Sequence, residues 1–242
     1  MKKALITGAS HGIGKEIADV FAKNGYRLFL NCHSSGRQLC AYAGELTKKY
    51  GVLCTPLICD ISDFHQVKAM FEEIEAMGET LDILINNAGI SHIGLLQDMT
   101  CEEWNRVIQT NLSSAFFCSK YAIPHMLAKK SGKIINISSV WGNAGASCEV
   151  AYSAAKGGLN AFTRALAKEL APSNIQVNAI ACGVIDTRMN QCFSEEERNA
   201  LMEEIPAGRF GTPTEIAEFA YQLTCGHDYL TGQIITMDGG FL

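Results

Sequence analysis

A tyrosine and a lysine stand four residues apart in the segment YSAAK, at Tyr152 and Lys156. On a helix this spacing places both side chains on one face. A phenol has an ordinary pKa of about 10, and an ammonium about 4 Å away, at an effective dielectric of about 20, contributes roughly 4 kcal/mol. We expect Lys156 to lower the pKa of Tyr152 by about three units. The pair then suits proton transfer to a carbonyl oxygen, although such pairs also occur by chance on surfaces.

Two polar residues upstream complete a candidate catalytic set. Ser139 lies thirteen residues before Tyr152, at the end of a predicted strand, and its hydroxyl can hold a substrate oxygen beside the phenol. The neighbouring Ser138 is the alternative, and the spacing favours Ser139. Asn111 falls within a predicted helix, where an amide is a poor helix former, and it can hold a water that links Lys156 to solvent. We therefore predict that Asn111, Ser139, Tyr152 and Lys156 are catalytic.

A glycine-rich turn near the start of the chain predicts a nucleotide site. Residues 7–14 read TGASHGIG and lie between a predicted strand and a predicted helix. The glycines permit a tight turn and let backbone N–H groups approach a pyrophosphate at the helix N-terminus. Such a turn can be purely structural, but the flanking strand and helix favour nucleotide binding. The predicted contacts are Gly8, Ser10, His11, Gly12, Ile13 and Gly14.

The segment after the second predicted strand favours NADP(H) over NAD(H). An acidic residue there would bind the ribose 2′-hydroxyl and repel a 2′-phosphate, but the segment NCHSSGR contains no acid. His11 and Arg37 can face a 2′-phosphate, and Ser34 or Ser35 can donate to it. We include His33 in the same group. Arg37 could equally lie at the solvated start of a helix, and NAD(H) is the alternative cofactor.

Two more strand ends carry polar groups suited to the rest of a dinucleotide. Asp60 follows the third predicted strand, where a carboxylate can accept a hydrogen bond from an adenine amino group. It could also cap the next helix, although Ser62 or Asp63 suits that position better. The segment NNAG follows the fourth strand, and its small residues and amides let the backbone pass close to a ribose. The predicted contacts are Asp60, Ile61, Asn87, Ala88 and Gly89.

These residues need a parallel sheet to bring them together. Apolar runs such as KALIT, LDILI and KIINI are typical of strands buried on both faces. They alternate with amphipathic stretches, which predicts a doubly wound α/β fold whose ligands bind beyond the carboxyl ends of the strands. The predicted strands are residues 3–6, 27–30, 53–58, 83–85, 133–137, 176–179 and 233–236, and the predicted helices include 13–23, 64–77, 101–128, 151–170 and 214–223.

Composition indicates one globular domain over residues 1–242. The chain is 48% hydrophobic and 19% charged with a net charge of −5, and no basic block suggests nucleic acid or an anionic membrane surface. No apolar run has membrane-spanning length, and no signal-like apolar segment opens the chain. The ten cysteines contain no C-x-x-C pair and the six histidines lack ligand spacing. We expect a cytoplasmic protein with reduced cysteines and no metal.

Taken in order, the motifs resemble those of the short-chain dehydrogenase/reductase family over nearly the whole chain. Within the family the chain is most similar to reductases of 3-oxoacyl thioesters held on acyl carrier protein. The motifs that carry the resemblance are TGASHGIG, CDISD, INNAGI, QTNL, NISSVWG, YSAAKGGL, IQVNAIACGVIDTRM, IPAGRFGTPTEIAEFA and YLTGQIITMDGG.

The resemblance implies reduction of a carbonyl to an alcohol, with Tyr152 as the general acid and Lys156 also holding the nicotinamide ribose. It adds nicotinamide contacts from Gly183, Val184, Ile185 and Thr187. It further implies a Rossmann-type sheet of about seven parallel strands, a homotetramer and a place in fatty acid biosynthesis. Other alcohols or ketones, such as a hydroxysteroid, sugar or polyol, are alternative substrates. A non-catalytic nucleotide-sensing protein is a third possibility.

Some positions depart from the family pattern or vary with substrate. Cys182 stands where the family usually has proline. The cysteine could loosen the loop or leave an oxidisable thiol, but a tolerated change with slight effect is favoured. Lys129 and Lys130 could meet an acidic carrier, but the second expected basic position falls in the uncharged segment PSN. A mobile lid is expected at about residues 187–208. Met189, Phe193 and Met202 of this lid, with Trp141 from the loop before Tyr152, suggest a lipophilic substrate pocket. The alternative is that these apolar side chains only pack the lid onto the core.

Overall fold

The computed structural model describes residues 1–190 and 193–242. Its sheet contains seven parallel strands in the order β3-β2-β1-β4-β5-β6-β7. The predicted doubly wound, Rossmann-type α/β fold is therefore confirmed. The strands are β1 (Lys3–Ile6), β2 (Arg27–Cys32), β3 (Cys54–Ile58), β4 (Ile83–Asn86), β5 (Gly132–Ser139), β6 (Ile175–Cys182) and β7 (Ile234–Met237).

Helices cover both faces of the sheet. Successive strand residues face opposite sides, so Leu28 packs in one core with Phe21, while Phe29 packs in the other with Phe71. Among the described residues, no helix is long and apolar enough to cross a bilayer. The helices are α1 (Gly12–Lys23), α2 (Gly36–Tyr50), α3 (Phe64–Ala76), α4 (Cys101–Ile108), α5 (Ser114–Lys129), α6 (Trp141–Ala144), α7 (Val150–Leu170), α8 (Glu195–Glu204) and α9 (Pro213–Leu223).

The predicted helix over residues 101–128 is divided by a π-helical turn at Gln109–Ser113 between α4 and α5. Single π turns inside α-helices are frequent at functional sites, and this one contains Asn111. Strands β5 and β6 each extend beyond their predicted ends, to Ser139 and Cys182, because the two strands pair along their whole length. The extension carries Ser139 to the carboxyl edge of the sheet.

The direction of winding reverses at β1, which pairs with β2 on one side and with β4 on the other. The Thr7 hydroxyl ties these strand ends together by accepting from the Asn87 and Ala88 N–H groups at 3.0 and 3.1 Å. Ligands of doubly wound sheets bind at such a reversal. The fold therefore places the predicted nucleotide site between β1 and β4.

Candidate active site

A cavity of about 730 Å³ opens along the carboxyl ends of the strands. The predicted cofactor contacts converge on it from sequence positions as distant as Gly8 and Thr187. Those that line it are Gly8, Ser10, His11, Gly12, Ile13, His33, Ser34, Asp60, Ile61, Asn87, Ala88, Gly89, Tyr152, Lys156, Gly183, Ile185 and Thr187.

The glycine turn forms one wall of this cavity, and its shape fits a dinucleotide. Gly8 has φ of +66°, and a Cβ there would lie 2.9 Å from the Cα of Ala88. The Asn87 amide donates to the carbonyls of Thr7 and Gly8 at 2.9 and 3.2 Å. Gly14 lies outside the cavity, where a side chain would collide with the Gly8 carbonyl. Gly14 thus allows close packing of α1, while the exposed backbone of the turn is left to hold a diphosphate.

The end of β2 contributes histidine and serine side chains. His33, Ser34 and Ser35 line the cavity, and so do Ser10 and His11 of the glycine turn, whose Oγ and Nδ1 atoms lie 2.8 Å apart. Arg37 does not line the cavity, because it is exposed in the first turn of α2. A contact from Arg37 to a 2′-phosphate therefore stays a prediction.

A cation that sequence reasoning did not select lies on the lid side of the cavity. Arg188 follows Thr187 and lines the cavity, as does Arg106 of α4. Burial lowers the pKa of His11, and the positive charge of Arg188 lowers it further. Arg188 lies within the family motif ending DTRM, but nothing in the pattern shows that it approaches the glycine turn. Arg106 carries no sequence signal at all.

Asp60 keeps one carboxylate oxygen on the cavity side. Its Oδ1 accepts from the N–H and the hydroxyl of Ser62 at 2.9 and 2.7 Å, and its Oδ2 lies 3.8 Å from His33 Nε2. Asp63, rather than Asp60, caps α3 by accepting from N–H groups of the first turn. The arrangement leaves Asp60 available to an adenine amino group.

The structure places Ser139, and not Ser138, beside the tyrosine. The side chains of Ser139 and Tyr152 share a hydrogen bond, and the N–H of Trp141 donates to Ser139 Oγ at 3.2 Å. The Ser138 hydroxyl is occupied elsewhere, since it donates to Asn160 Oδ1 at 2.6 Å. Ser139 and Tyr152 together present two hydroxyls to one point.

Tyr152 and Lys156 are buried, and this reverses one expectation. The Lys156 ammonium lies 5.6 Å from the centre of the Tyr152 ring and donates to the Ile137 carbonyl at 2.8 Å. Burial raises the pKa of Tyr152 and lowers the pKa of Lys156 to about 8. The prediction that Lys156 lowers the pKa of the phenol was wrong, because burial dominates the pKa of Tyr152 and the contribution that lowers it comes from Ser139 rather than from Lys156. At neutral pH the phenol keeps its proton, as a proton donor must.

Asn111 lies behind the cavity rather than in its wall. Its Nδ2 donates to the carbonyls of Ile90 and Val107 at 2.8 and 2.9 Å, and its Oδ1 accepts from the Ile90 N–H at 3.2 Å. Only Gly89 separates the amide from the lysine, since a Cβ on Gly89 would lie 2.5 Å from Asn111 Oδ1 and 3.6 Å from Lys156 Nζ. The side-chain amide therefore positions the segment after β4, and a water held near Asn111 stays a prediction.

A second cavity of about 390 Å³ adjoins the first, and Ser139 and Tyr152 line both. Val184, predicted as a cofactor contact, lies here, and so do the predicted pocket residues other than Met202. Residues 191 and 192 of the predicted lid lie outside the described residues. The apolar lining is Ile93, Val140, Trp141, Val184, Met189, Phe193, Ala200 and Leu201; Glu149, Glu197 and Glu204 add carboxylates.

Two further expectations do not fit the structure. Lys129 ends α5 just before β5, so it lies at the amino edge of the sheet, opposite the cavity, with its ammonium 2.7 Å from Asp82 Oδ1. It therefore forms no basic patch at the active-site mouth. Cys182 belongs to β6 and pairs in register with Ser139 and Met237, so no loop is loosened there. Burial raises the pKa of its thiol to about 12, which disfavours oxidation.

Comparison with known proteins agrees with this geometry. A family profile described as short chain dehydrogenase matches residues 2–198. The chain is 39% identical to an uncharacterized oxidoreductase of Bacillus subtilis over 99% of this chain and 98% of the relative. It is 40% identical to a 3-oxoacyl-[acyl-carrier-protein] reductase of Staphylococcus aureus over 99% and 97%. A solved structure of a putative gluconate dehydrogenase from Agrobacterium tumefaciens superposes with a TM-score of 0.94 at 34% identity, covering 99% of this chain and 95% of that one. A 3-oxoacyl-[acyl carrier protein] reductase from Brucella melitensis superposes with a TM-score of 0.93 at 31% identity, covering 100% and 91%.

Proposed function

This chain belongs to the short-chain dehydrogenase family and is an NAD(P)-dependent oxidoreductase, and we propose that it uses NADPH to reduce a 3-oxoacyl thioester to the 3-hydroxyacyl thioester. The observation that carries this proposal is the Ser139–Tyr152 pair at the junction of two cavities. One cavity has the glycine turn and strand ends suited to a dinucleotide. The other is walled mainly by apolar side chains that suit an acyl chain.

When bound, the nicotinamide supplies the hydride for this reduction. The Ser139 hydroxyl holds the oxygen of the ketone, and the Tyr152 hydroxyl donates the proton that this oxygen takes up as the alcohol forms. Since burial raises the pKa of Tyr152, the phenol gives up its proton only as the substrate oxygen becomes strongly basic. Lys156, anchored on the Ile137 carbonyl, supplies positive charge behind the phenol. Asn111 holds the backbone that borders this lysine.

The preference for NADP(H) rests on the end of β2. No carboxylate follows that strand to repel a 2′-phosphate, and His33, Ser34 and Ser35 line the cavity there. His11 approaches from the glycine turn. The choice of a 3-oxoacyl thioester draws on the apolar second cavity and on the relatives that bear that name. Acyl carrier protein is then a candidate carrier of the substrate, and fatty acid biosynthesis a candidate pathway.

A second candidate substrate is a hydroxylated ketone such as a sugar acid. The superposition on a putative gluconate dehydrogenase favours it, as do the carboxylates in the second cavity, which can accept hydrogen bonds from hydroxyl groups. The same Ser139–Tyr152 pair would serve both substrates.

The lid, the assembly and the location are parts of the same proposal. We assign lid movement to about residues 187–208, because α8 borders the second cavity through Ala200 and Leu201 and is exposed along most of its length. A homotetramer would cover apolar side chains that a single chain leaves exposed on α5, among them Phe116 and Leu127. We place the enzyme in the cytoplasm, in keeping with the prediction that its cysteines are reduced.

Consumption of NADPH and NADH tests the proposal, with acetoacetyl-CoA as the thioester beside a panel of sugar, polyol-derived and steroid ketones. NADPH-dependent turnover of acetoacetyl-CoA supports the proposed function, and the acyl-carrier thioester is then the next substrate to assay. Turnover confined to a sugar or steroid ketone would keep the chemistry and contradict the thioester assignment. Equal turnover with NADH would contradict the cofactor preference.

A further inference from the structure

The segment after β7, residues 238–242, turns back on itself. The Asp238 carboxylate accepts from the Gly240 N–H with Oδ1 and from the Leu242 N–H with Oδ2, both at 3.0 Å. Gly239 and Gly240 have φ of +69° and +85°, a region that glycine adopts without the strain other residues would meet. These contacts give the segment a defined shape, and we call it the 238–242 turn.

The 238–242 turn packs against the segments that follow α8 and β6. The Gly239 carbonyl accepts from the Ala207 N–H at 3.0 Å, and a Cβ on Gly239 would lie 2.9 Å from the Cβ of Ala207. On the other side, a Cβ on Gly183 would lie 2.6 Å from the Cβ of Asp238. Phe241 is therefore carried by a segment whose backbone is held on two sides.

The ring of Phe241 packs against the indole of Trp141. The two ring centroids lie 5.7 Å apart with an interplanar angle of 67°, which is the edge-to-face arrangement that aromatic pairs favour. The indole N–H of Trp141 donates to the carboxyl group of Glu149. The indole is thus held at its N–H by Glu149 and on its ring by Phe241, which itself lines neither cavity.

Trp141 lies where it can limit the size of a substrate. It lines the second cavity together with Ser139 and Tyr152, and its backbone N–H donates to Ser139 Oγ at 3.2 Å. Among the described residues of this cavity wall it has the largest side chain. The position of the indole therefore decides how much room a substrate has beside the ketone that Ser139 and Tyr152 hold.

We propose that Phe241 is a positioning residue for substrate specificity, which holds the Trp141 indole in the wall of the second cavity and so excludes ketones that are bulky beside the carbonyl. This inference rests on the proposed function in one respect, that the substrate enters the second cavity, and it applies to a thioester and to a simple ketone alike. Phe241 contacts no reacting atom and acts through Trp141. Without the Phe241 ring, the indole loses a packing partner and can adopt other rotamers.

The first test compares kcat/KM for trans-2-decalone, a ketone with two fused rings, with kcat/KM for cyclohexanone, both with NADPH. In Phe241→Ala we expect the ratio of decalone to cyclohexanone turnover to rise about three- to tenfold, the value of one aromatic pair. Trp141→Ala should raise the ratio at least as much. The double variant should match Trp141→Ala, because Phe241 has no effect once the indole is absent. Phe64→Ala is the matched control and should follow the wild type, since it removes a half-buried ring that packs edge-to-face on Phe117 outside both cavities.

Fluorescence quenching by acrylamide reports on the indole without any turnover. The chain has two tryptophans, so in a Trp104→Phe background the emission comes from Trp141. We expect Phe241→Ala to raise the quenching constant, because the indole becomes more accessible to solvent. Titration with NADPH should give the wild-type affinity and shows that each variant is folded.

An unchanged quenching constant in Phe241→Ala would overturn the inference. Additive effects in the double variant would also overturn it, because Phe241 would then act independently of Trp141. A ratio that rises in Trp141→Ala but not in Phe241→Ala would overturn it too, while leaving the second cavity as the substrate site. If Trp141→Ala leaves the ratio unchanged, the substrate does not enter the second cavity, and that part of the proposed function fails together with this inference.

Discussion

Asn111 and Ile90 are joined by two hydrogen bonds that run in opposite directions. The amide of Asn111 donates to the Ile90 carbonyl at 2.8 Å and accepts from its N–H at 3.2 Å. The π-helical turn brings Asn111 to this position, so a helix irregularity fixes the backbone that follows β4. The glycine just before Ile90 is the residue against which Lys156 packs.

We therefore expect Asn111→Ala to lower both stability and turnover. Loss of the amide leaves backbone groups of Ile90 unpaired, which should reduce the free energy of unfolding by about 1–3 kcal/mol. Urea unfolding and kcat measure the two effects. Asn105→Ala, an exposed position on α4, is the matched control. If both variants had the same free energy of unfolding and the same kcat, the hydrogen bonds of Asn111 to Ile90 would have no role in stability or turnover.

Tyr152→Phe should bind NADPH as the wild type does but lose about 10²- to 10⁴-fold in kcat, because only the proton donor is removed. Titration of the cofactor and single-turnover kinetics separate the two properties. Tyr229→Phe alters a fully exposed phenol and serves as the control. A kcat near the wild-type value in Tyr152→Phe would refute the role of this residue as general acid.

The cofactor preference can be divided between its candidate contacts. His11→Ala should lower the preference for NADPH over NADH about tenfold, the value of one charge-assisted contact to the 2′-phosphate. Arg37→Ala should change it less, because Arg37 is exposed outside the cavity. Dissociation constants for both cofactors measure the preference. The reverse order of effects would restore Arg37 to the phosphate site and remove His11 from it.

The buried lysine should leave a signature in the pH dependence of stability. Burial lowers the pKa of Lys156 from 10.5 to about 8, so between these values the unfolded chain binds more protons. The free energy of unfolding then rises with pH through this window, by up to about 3 kcal/mol. Lys156→Met should abolish the rise, and the exposed substitution Lys48→Met should retain it. Urea unfolding at a series of pH values measures the rise, and its persistence in Lys156→Met would assign it to other groups.

Two glycines on helices should respond in opposite ways to a methyl group. A Cβ on Gly14 would overlap the Gly8 carbonyl and the Asn87 amide, so Gly14→Ala should destabilise the protein and weaken cofactor binding. A Cβ on Gly44, within α2, would meet no atom within 4 Å. Gly44→Ala should raise the free energy of unfolding by about 0.8–1.0 kcal/mol. Thermal unfolding compares the two variants, and a stable Gly14→Ala would show that α1 can shift away from the turn.

Much of this site could be predicted because its residues lie at strand ends. The glycine turn and the segments holding Asp60 and Asn87 each follow an apolar run, and a parallel sheet collects such ends at one edge. The thirteen-residue spacing from Ser139 to Tyr152 covers the connection from β5 to α7. This spacing correctly favoured Ser139 over Ser138 as the residue beside the tyrosine. These are local patterns, which the fold brings together as expected.

The other features of the site could not be predicted, because they depend on how deeply a side chain is buried and on where it points. The spacing of residues along the sequence contains neither. Opposite charges near each other suggested a lowered pKa for Tyr152, yet the depth of the cavity reverses the sign. The sequence does not distinguish Arg37 from Arg188, since both are arginines near predicted cofactor contacts. Arg188 lines the cavity because it lies in the turn after Thr187, whereas Arg37 lies at the start of α2 and does not line it.

The placement of β1 between β2 and β4 has a consequence for folding during synthesis. While the ribosome has made only the first three strands, the inner edge of β1 presents unpaired backbone groups, because its partner β4 ends at Asn86. Such an edge can pair wrongly with another nascent chain, and pairings between distant segments form slowly. When β4 pairs with β1 this edge is covered, and the reversal of winding between the two strands is formed in the same step.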